Sequence, residues 1–487
     1  SDRSGLWGLM QEGIASTGAM MDKRQDAQAN PLVKAVIADF ETTEGRKDAR
    51  QQIKMVIAGA KTPEEVETRA VGAIKLVSDL LSAKAPDDAT AFRSFLQDIG
   101  QRTAEAAKEG GFMGLGGVKV SEAEKAAWDD IAKAAPFDLR YQYLAGGIAD
   151  GAGPCSKCDT GCTVGGTSCA NSGPGCGWWG CWQYDQDPPG AFVRGFVGKV
   201  KADKQIPMIT YYVLLQASGV AEGAAEVTKA NDASFMARYY ADFRFVTQQV
   251  GTDVALLHIE PDFWGYAQQI NDDATKIPAA VASANPTDCS ALPNTIAGMG
   301  QCMIAMSKKY APNAKVSLHA SGWATKFDVL LNKDSGFDVA GHAAKLGKFI
   351  AAAGPNADFV TVDASDRDAA WYESQGQNRW WDATNATLPN FHQAFVWAKA
   401  LAESAKKPVL WWQLPVGNMS LTNKTDQWKD NRVDYLMTHM NEVAAAHGLG
   451  VAFGSGMGGQ TTPSTDGGNL VSKVKAHASG GGQAACP

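Results

Sequence analysis

Seven short runs of strand-forming residues alternate with longer helical stretches in the second part of the chain. The predicted strands are residues 139–144, 207–215, 254–260, 315–319, 358–363, 408–413 and 450–454, and helices are predicted at 233–250, 295–309, 340–353, 388–405 and 431–446. Strands that alternate with helices pair in parallel, so we expect an α/β fold with a seven- or eight-stranded, TIM-like (β/α) barrel. An open doubly wound sheet is the structural alternative. No glycine-rich phosphate fingerprint follows an early strand, which argues against a nucleotide-binding Rossmann fold.

The N-terminal region, residues 1–136, differs in composition from the rest of the chain. It has no cysteine, no histidine and only two of the 14 tryptophans. Capping boxes at 62–65 and 121–124, with apolar residues at helical spacing, predict five or six helices in an antiparallel bundle. No catalytic constellation occurs there, so we expect an all-α structural or partner-binding domain. The other predicted parts are the barrel at 137–475 and a flexible tail at 476–487.

Charge and cysteine usage limit the partners and the compartment. The formal net charge is −7 without a block of like charge, which argues against a nucleic acid as the main partner. No apolar run of about 18 residues occurs, so we expect no membrane span. Six of the nine cysteines lie in a Gly/Ser/Pro-rich loop at 151–190, where three disulfides of open connectivity are favoured over a metal site.

Cys289 and Cys302 are expected to form a further disulfide, which leaves Cys486 unpaired. A chain this rich in disulfides is typical of a secreted, extracellular or periplasmic protein. No signal peptide begins at Ser1, so we expect a secreted precursor to have lost it.

Polar side chains gather at the ends of consecutive predicted strands. Alternation puts His258, Glu260 and Asp262 on one face if their strand continues that far. The next two strands carry His319 and Asp363. Buried charges are costly unless they are paired, and barrel active sites lie at the carboxyl ends of the strands. These residues therefore predict a functional mouth, by which we mean that end of the barrel.

The segment Ile259-Glu260-Pro261-Asp262 resembles the strand-end motif of family 6 glycoside hydrolases, cellobiohydrolases and endoglucanases with a distorted seven-stranded barrel. The resemblance implies that Asp262 donates the proton to the glycosidic oxygen. The chain departs from the family at His319, where the family has an aspartate, and at 211–219, which hold no carboxylate. Trp-Trp-Gln at 411–413 also stands near the place of the family's late Cys-Asp-Gly segment. Without the resemblance, Pro261 ends the strand and turns Asp262 outward as a loop cap.

Glycosidic cleavage requires a carboxylic acid and a second carboxylate that acts as base or nucleophile. Apolar neighbours raise the pKa of a carboxyl group, so Asp262, followed by Phe263, is the candidate acid. Asp363 and Glu260 are the candidates for the second group. Aromatic rings suit the apolar faces of sugars, although packing in the core is the competing interpretation for any single tryptophan. The candidate substrate-binding residues are Tyr212, His258, Trp264, His319, Trp323, Trp411, Trp412 and Gln413.

Three function classes are consistent with these residues. The main prediction is a secreted glycoside hydrolase-like barrel that acts on a polysaccharide without a cofactor or a metal. The second is a metal-dependent hydrolase or polysaccharide deacetylase, with the histidines and carboxylates of the predicted mouth as ligands. The third is a non-catalytic glycan-binding or extracellular structural barrel, which the missing family carboxylates favour. In each class the helical domain is a candidate for binding another protein.

Overall fold

The computed structural model describes residues 30–41, 133–148, 163–164, 167–168 and 189–484, together with isolated helical positions between 52 and 92. The chain divides into two compact units, Ser1–Gly110 and Gly111–Pro487. The six clustered cysteines, Cys486 and both capping boxes lie outside the described residues. The predicted domain boundary near residue 136, the helical bundle and the disulfides of the loop therefore stay predictions.

In the first unit, helix α1 spans Pro31–Glu41. It begins after Asn30, whose Oδ1 accepts a backbone N–H of the first turn and whose Nδ2 donates to Asp88 at 2.9 Å. A side-chain oxygen at this position satisfies one of the N–H groups that a helix leaves unpaired. Val33 and Ile37, four residues apart, are both buried, so one face of α1 is apolar.

The second unit contains a seven-stranded parallel sheet whose strands follow one another in chain order. Its strands are β1 (Leu139–Leu144), β4 (Ile206–Tyr211), β5 (Leu256–Ile259), β6 (Lys315–His319), β7 (Phe359–Asp363), β8 (Val409–Leu414) and β9 (Gly448–Phe453). A separate antiparallel pair consists of β2 (Thr163–Val164) and β3 (Thr167–Ser168). A doubly wound sheet would reverse its strand order at a switch point. The sequential order therefore confirms the (β/α) barrel fold, and the doubly wound alternative is wrong.

Helices connect the strands and cover the outer face of the sheet. They are α2 (Ala191–Ala202), α3 (Leu214–Ser218), α4 (Ala224–Lys229), α5 (Ala233–Val250), α6 (Phe263–Ile270), α7 (Pro286–Cys289), α8 (Ile296–Tyr310), α9 (Val339–Ala353), α10 (Ala369–Ser374), α11 (Phe391–Ala405), α12 (Arg432–Leu436), α13 (Met440–Ala445) and α14 (Asn469–Ser479). The helix predicted at 233–250 is found with the same bounds as α5. Since α14 continues to Ser479, the first residues of the predicted tail at 476–487 are helical.

The helix predicted at 431–446 is interrupted, because it forms the two short helices α12 and α13. The backbone carbonyl of Tyr435 accepts the Thr438 hydroxyl at 2.9 Å and lies 2.8 Å from Nδ1 of His439. Side chains that bond to backbone carbonyls compete with the hydrogen bonds of the helix. This competition explains why the single predicted helix ends near Leu436.

The two edges of the sheet, β1 and β9, approach each other at the mouth. The Tyr141 hydroxyl oxygen lies only 1.8 Å from where a Cβ atom on Gly454 would stand. Glycine is therefore required at the end of β9 for Tyr141 to fit. No backbone pairing joins β1 to β9 among the strands that the structure describes, so the sheet is a curled barrel that hydrogen bonds do not close.

Side chains alternate between the inside of the curl and the helix layer, as β8 shows. Trp411 packs outward against Trp397 at a centroid distance of 6.2 Å. Trp412 packs inward against Tyr143 at 5.3 Å. Both tryptophans are buried, so the fold has an apolar core inside the barrel and a larger one under the helices.

The disulfide predicted between Cys289 and Cys302 is confirmed, with α-carbon atoms 5.5 Å apart. It links α7 to α8 on the outer face of the barrel, and both cysteines are buried. None of the helices in the described ranges is long and apolar enough to cross a membrane.

The close approach of β1 and β9 gives a stability prediction. We expect Gly454→Ala to lower the free energy of unfolding by about 1–3 kcal/mol, because the new methyl group overlaps Tyr141 where β1 and β9 meet. Gly458 has no heavy atom within 4 Å of its Cβ position, so Gly458→Ala is the matched control and should change stability by less than about 0.5 kcal/mol. Urea denaturation followed by tryptophan fluorescence measures both. Equal stability of the two variants would contradict the close approach of the two edges.

Candidate active site

Strand β5 ends at Ile259 and enters a strained turn. Glu260 has φ of +48° and Asp262 has φ of +68°, on either side of Pro261. A non-glycine residue in this region costs roughly 1–3 kcal/mol and persists only where its surroundings enforce it. The strand does not continue to Asp262, so the condition for a shared face of His258, Glu260 and Asp262 is not met.

The Glu260 side chain holds this turn in place. Its Oε1 atom accepts the Tyr239 hydroxyl at 2.7 Å and the backbone N–H groups of Leu214 and Val213 at 3.0 and 3.2 Å. Burial raises the pKa of Glu260 to about 7, although these donors oppose the rise. The donors belong to α5, to the β4–α3 connection and to the first residue of α3, so Glu260 anchors the turn to α5 and to the segment that follows β4. We therefore do not retain Glu260 as the second carboxylate of the site.

Asp262 stands at the N-cap position of α6, but its side chain makes no capping hydrogen bond there. Burial raises the pKa of Asp262 well above its usual value, and nearby negative charges raise it further. The charges belong to Asp363, Glu222 and Asp366. The environment of Asp262 therefore favours its protonated form, and one of the charges responsible belongs to Asp363 on β7.

Asp363 ends β7 and is 21% exposed, so its carboxylate faces the mouth. Its Oδ1 atom lies 3.1 Å from Nε2 of His319. The Nδ1 atom of His319 lies 3.1 Å from Nε2 of His258, and Nδ1 of His258 lies 3.2 Å from the Thr210 hydroxyl. Four adjacent strands thus contribute one residue each to a continuous chain of hydrogen bonds. Since both nitrogens of each histidine are used, neither histidine is left to bind a sugar hydroxyl as expected.

Aromatic rings form the wall of the barrel beside these groups. Trp412 packs edge-on against His258 and His319, with centroid distances of 4.7 and 5.8 Å. The rings of Tyr143 and Tyr212 are 6.4 Å apart. Burial raises the pKa of both tyrosines, and the Asp262 charge adds to the rise, which places both hydroxyls within electrostatic reach of Asp262.

Gln413 also belongs to this wall. It is buried, has φ of +56°, and accepts the Tyr143 hydroxyl on its Oε1 atom. A Cβ atom on Gly456 would lie 2.3 Å from its amide nitrogen, so the Gln413 side chain is confined on both sides. Gln413 therefore fixes the orientation of the Tyr143 hydroxyl toward the mouth.

The other predicted tryptophans occupy different environments. Trp264 is completely buried, and its indole N–H donates to the Ile259 carbonyl at 2.9 Å. Trp411 is buried in the helix layer. Neither ring has a face open to a ligand, so we do not retain them as substrate-binding residues. Trp323 is partly exposed after β6 and packs on Tyr266 at 4.6 Å, which makes it an available aromatic surface.

Two carboxylates near the site were not predicted from the sequence. Glu222 accepts the Tyr266 hydroxyl at 2.9 Å, and its charge acts on Asp262. Glu226 is 1% exposed, and burial followed by the charge of Glu260 raises its pKa to about 9. Both follow β4 and lie just beyond residues 211–219, where the family carboxylate was expected. Extending that window through the end of α4 would have included them.

A buried network fixes the loops of the mouth after β7, β8 and β9. Asp368 accepts the backbone N–H groups of Gly417 at 2.9 Å and Thr461 at 2.8 Å. Asp430 forms a buried ion pair with Arg432 at 2.6 Å. Burial and the charge of Asp430 raise the pKa of Asp368 to about 7. These contacts make the rim behind Asp363 rigid, which keeps the site geometry constant.

Across the described ranges, no group of three or more histidine, cysteine, aspartate or glutamate side chains is arranged to hold a metal ion. The hydrogen bonds of the predicted metal ligands explain this result. His258 and His319 use their nitrogens on each other, on Thr210 and on Asp363, while Glu260 faces α5. The donor set for the metal-dependent alternative is therefore not assembled.

No protein-family model and no curated protein matches this sequence. The chain is similar in structure to the Cel6 endoglucanase of Mycobacterium tuberculosis, with 14% identity, a TM-score of 0.26 and coverage of 46% of this chain and 56% of that chain. It is also similar to a modular endo-β-1,4-mannanase of Cellulomonas fimi, with 10% identity, a TM-score of 0.36 and coverage of 59% of this chain and 57% of that chain. A family 5 mannosidase of Rhizomucor miehei is similar at 13% identity, with a TM-score of 0.39 and coverage of 76% and 90%. The chain thus spans little more than half the length of the first two, and we infer the fold from strand pairing alone.

The buried Glu226 makes stability depend on pH. Its pKa is about 9 in the folded protein against an ordinary value of 4.5, so the free energy of unfolding falls as pH rises between those values. Between pH 5 and pH 8 we expect Glu226 to contribute a loss of roughly 4 kcal/mol, which Glu226→Gln removes. Denaturant titrations at both pH values measure this difference. Parallel curves for the wild type and Glu226→Gln would contradict it, and the exposed Glu403→Gln is the control.

Proposed function

We propose that this chain is a glycoside hydrolase-like barrel that cleaves the bonds between sugars in a polysaccharide, with Asp262 as the general acid. The observation that carries the proposal is the unequal environment of Asp262 and Asp363. Burial and neighbouring charges raise the pKa of Asp262, which favours its protonated form, whereas Asp363 faces the mouth with a histidine nitrogen 3.1 Å from its Oδ1 atom. Glycosidic cleavage uses such a pair, one carboxyl protonated and the other ionised.

In this proposal Asp262 protonates the glycosidic oxygen of the leaving sugar. Asp363 acts on the other side of the anomeric carbon, either by activating a water molecule or by attacking the carbon directly. Asp366 lies behind them, where the Tyr372 hydroxyl and Arg367 hold its carboxylate. It adds negative charge that favours the protonated form of Asp262.

The walls of the mouth suit a carbohydrate. The buried Tyr143 and Tyr212 bring hydroxyl groups near Asp262, and Gln413 holds the Tyr143 hydroxyl. The partly exposed Trp323, tilted against Tyr266, offers an aromatic surface beyond the reacting bond. Flat rings pack on the apolar faces of pyranoses, and the hydroxyls serve as donors and acceptors. We therefore propose a polysaccharide or oligosaccharide substrate.

We further propose that the protein works outside the cytoplasm. The buried Cys289–Cys302 disulfide supports this proposal, because disulfides persist in oxidising compartments.

The test is Asp262→Asn on a panel of soluble polysaccharides, measured by the release of reducing ends. We expect kcat to fall by about 10²–10⁴-fold, because asparagine cannot supply a proton to the leaving oxygen. Asp363→Asn should lower kcat at least as far, since the second carboxylate is then lost. Asp253→Asn is the matched control, because Asp253 precedes β5 at the opposite end of the barrel and pairs with Lys201 there.

An activated aryl glycoside separates the two roles. Its leaving group needs no proton, so the first release of the aryl alcohol should stay close to the wild-type rate in Asp262→Asn and should be lost in Asp363→Asn, whether Asp363 activates water or attacks the carbon. Full polysaccharide activity in Asp262→Asn would overturn the general-acid assignment. Binding of a polysaccharide by the wild type without any release of reducing ends would instead identify a non-catalytic glycan-binding barrel.

A further inference from the structure

We propose that His258 and His319 form a positioning relay, a one-directional chain of hydrogen bonds that runs from Thr210 to Asp363 and fixes Asp363 for its reaction. This inference rests on the proposed role of Asp363 in the site. The two histidines touch no part of the proposed substrate path. They act through Asp363, so they are positioning residues.

We assign the donors and acceptors of the relay for an ionised Asp363 and two neutral histidines. An ionised carboxylate only accepts hydrogen bonds, so Nε2 of His319 must carry the hydrogen that points at Asp363. Nδ1 of a neutral His319 is then an acceptor, and Nε2 of His258 must donate to it. Nδ1 of His258 is in turn an acceptor, which the Thr210 hydroxyl satisfies. Every link therefore has one donor and one acceptor, all in the same direction.

The surroundings of His258 favour the neutral form of its ring. His258 is completely buried, and the groups that face it are the Thr210 hydroxyl on β4, the His319 ring on β6 and the edge of Trp412 on β8. None of them carries a negative charge. Burial lowers the pKa of His258 well below its usual value, and the neighbouring His319 lowers it further. A charged His258 would donate from both ring nitrogens, so the Thr210 hydroxyl would have to turn and become an acceptor.

The relay gives Asp363 one fixed donor and one fixed orientation. His319 holds Oδ1, which leaves Oδ2 as the oxygen that turns toward the mouth. Hydrogen bonds in a chain polarise one another, so His258 strengthens the bond that His319 donates. No proton moves along the relay, because its only path toward Asp363 would leave a charged threonine oxygen behind.

The first experiment reads the tautomers directly in the full-length protein. Two-bond ¹H–¹⁵N spectra of ¹⁵N-histidine protein at pH 7 should show both rings neutral, with the hydrogen on Nε2. The signals are assigned among the seven histidines by loss in His258→Gln and in His319→Gln. A hydrogen on Nδ1, or a charged ring, at either position would overturn the relay.

The second experiment compares two replacements of similar size at His258. Glutamine keeps an N–H donor near the place of Nε2, whereas methionine fills the space without one. We expect His258→Met to lower kcat about 10- to 100-fold with KM unchanged, and His258→Gln to restore most of that loss. Equal kcat in the two variants would reduce His258 to a packing role. The exposed His447→Gln is the control, and circular dichroism verifies that each variant is folded.

The two experiments separate this inference from the proposed function. If the wild type cleaves no polysaccharide, the proposed function fails, and the tautomers still decide whether the relay exists. If the wild type cleaves polysaccharide but the tautomers run in another direction, the relay fails while the roles of Asp262 and Asp363 stand.

Discussion

The buried carboxyl group of Glu260 makes the hydrogen bonds on which the candidate site depends. It collects three donors from α5 and from the connection that follows β4, and in doing so it enforces the left-handed backbone on either side of Pro261. This strained turn ends β5 at Ile259 and places Asp262 at the mouth, where its side chain makes no capping bond. An ordinary strand end would have directed the same carboxyl group elsewhere.

Burial shifts the pKa values of Asp262 and His258 in opposite directions. It raises the pKa of Asp262, which favours the protonated acid, and lowers the pKa of His258, which favours the neutral ring. Asp363 is 21% exposed and has a hydrogen-bonding nitrogen of His319 beside it. In the proposed function the site therefore combines one acid and one base, with the buried Trp412 and the two tyrosines packed beside them.

The sequence predicts the fold of this protein better than the arrangement of its candidate site. All seven strands are found because each is a short apolar run between helices, and the Cys289–Cys302 bridge follows from cysteine spacing. The orientation of Glu260 was not predictable, since strict alternation fails where φ turns positive. The contact of His258 with His319 joins residues 61 positions apart, and no local pattern records it. Glu226 was missed for a similar reason, because its burial depends on how α4 folds back.

The seam between β1 and β9 has a mechanical consequence. Separating those two edges breaks no ladder among the described strands, whereas widening a fully closed barrel would rupture a whole row of backbone bonds. The contact of the Tyr141 hydroxyl with Gly454 thus sets the distance between the two edges of the curled sheet. A substitution at that one contact would change the distance between the two edges without rebuilding the sheet.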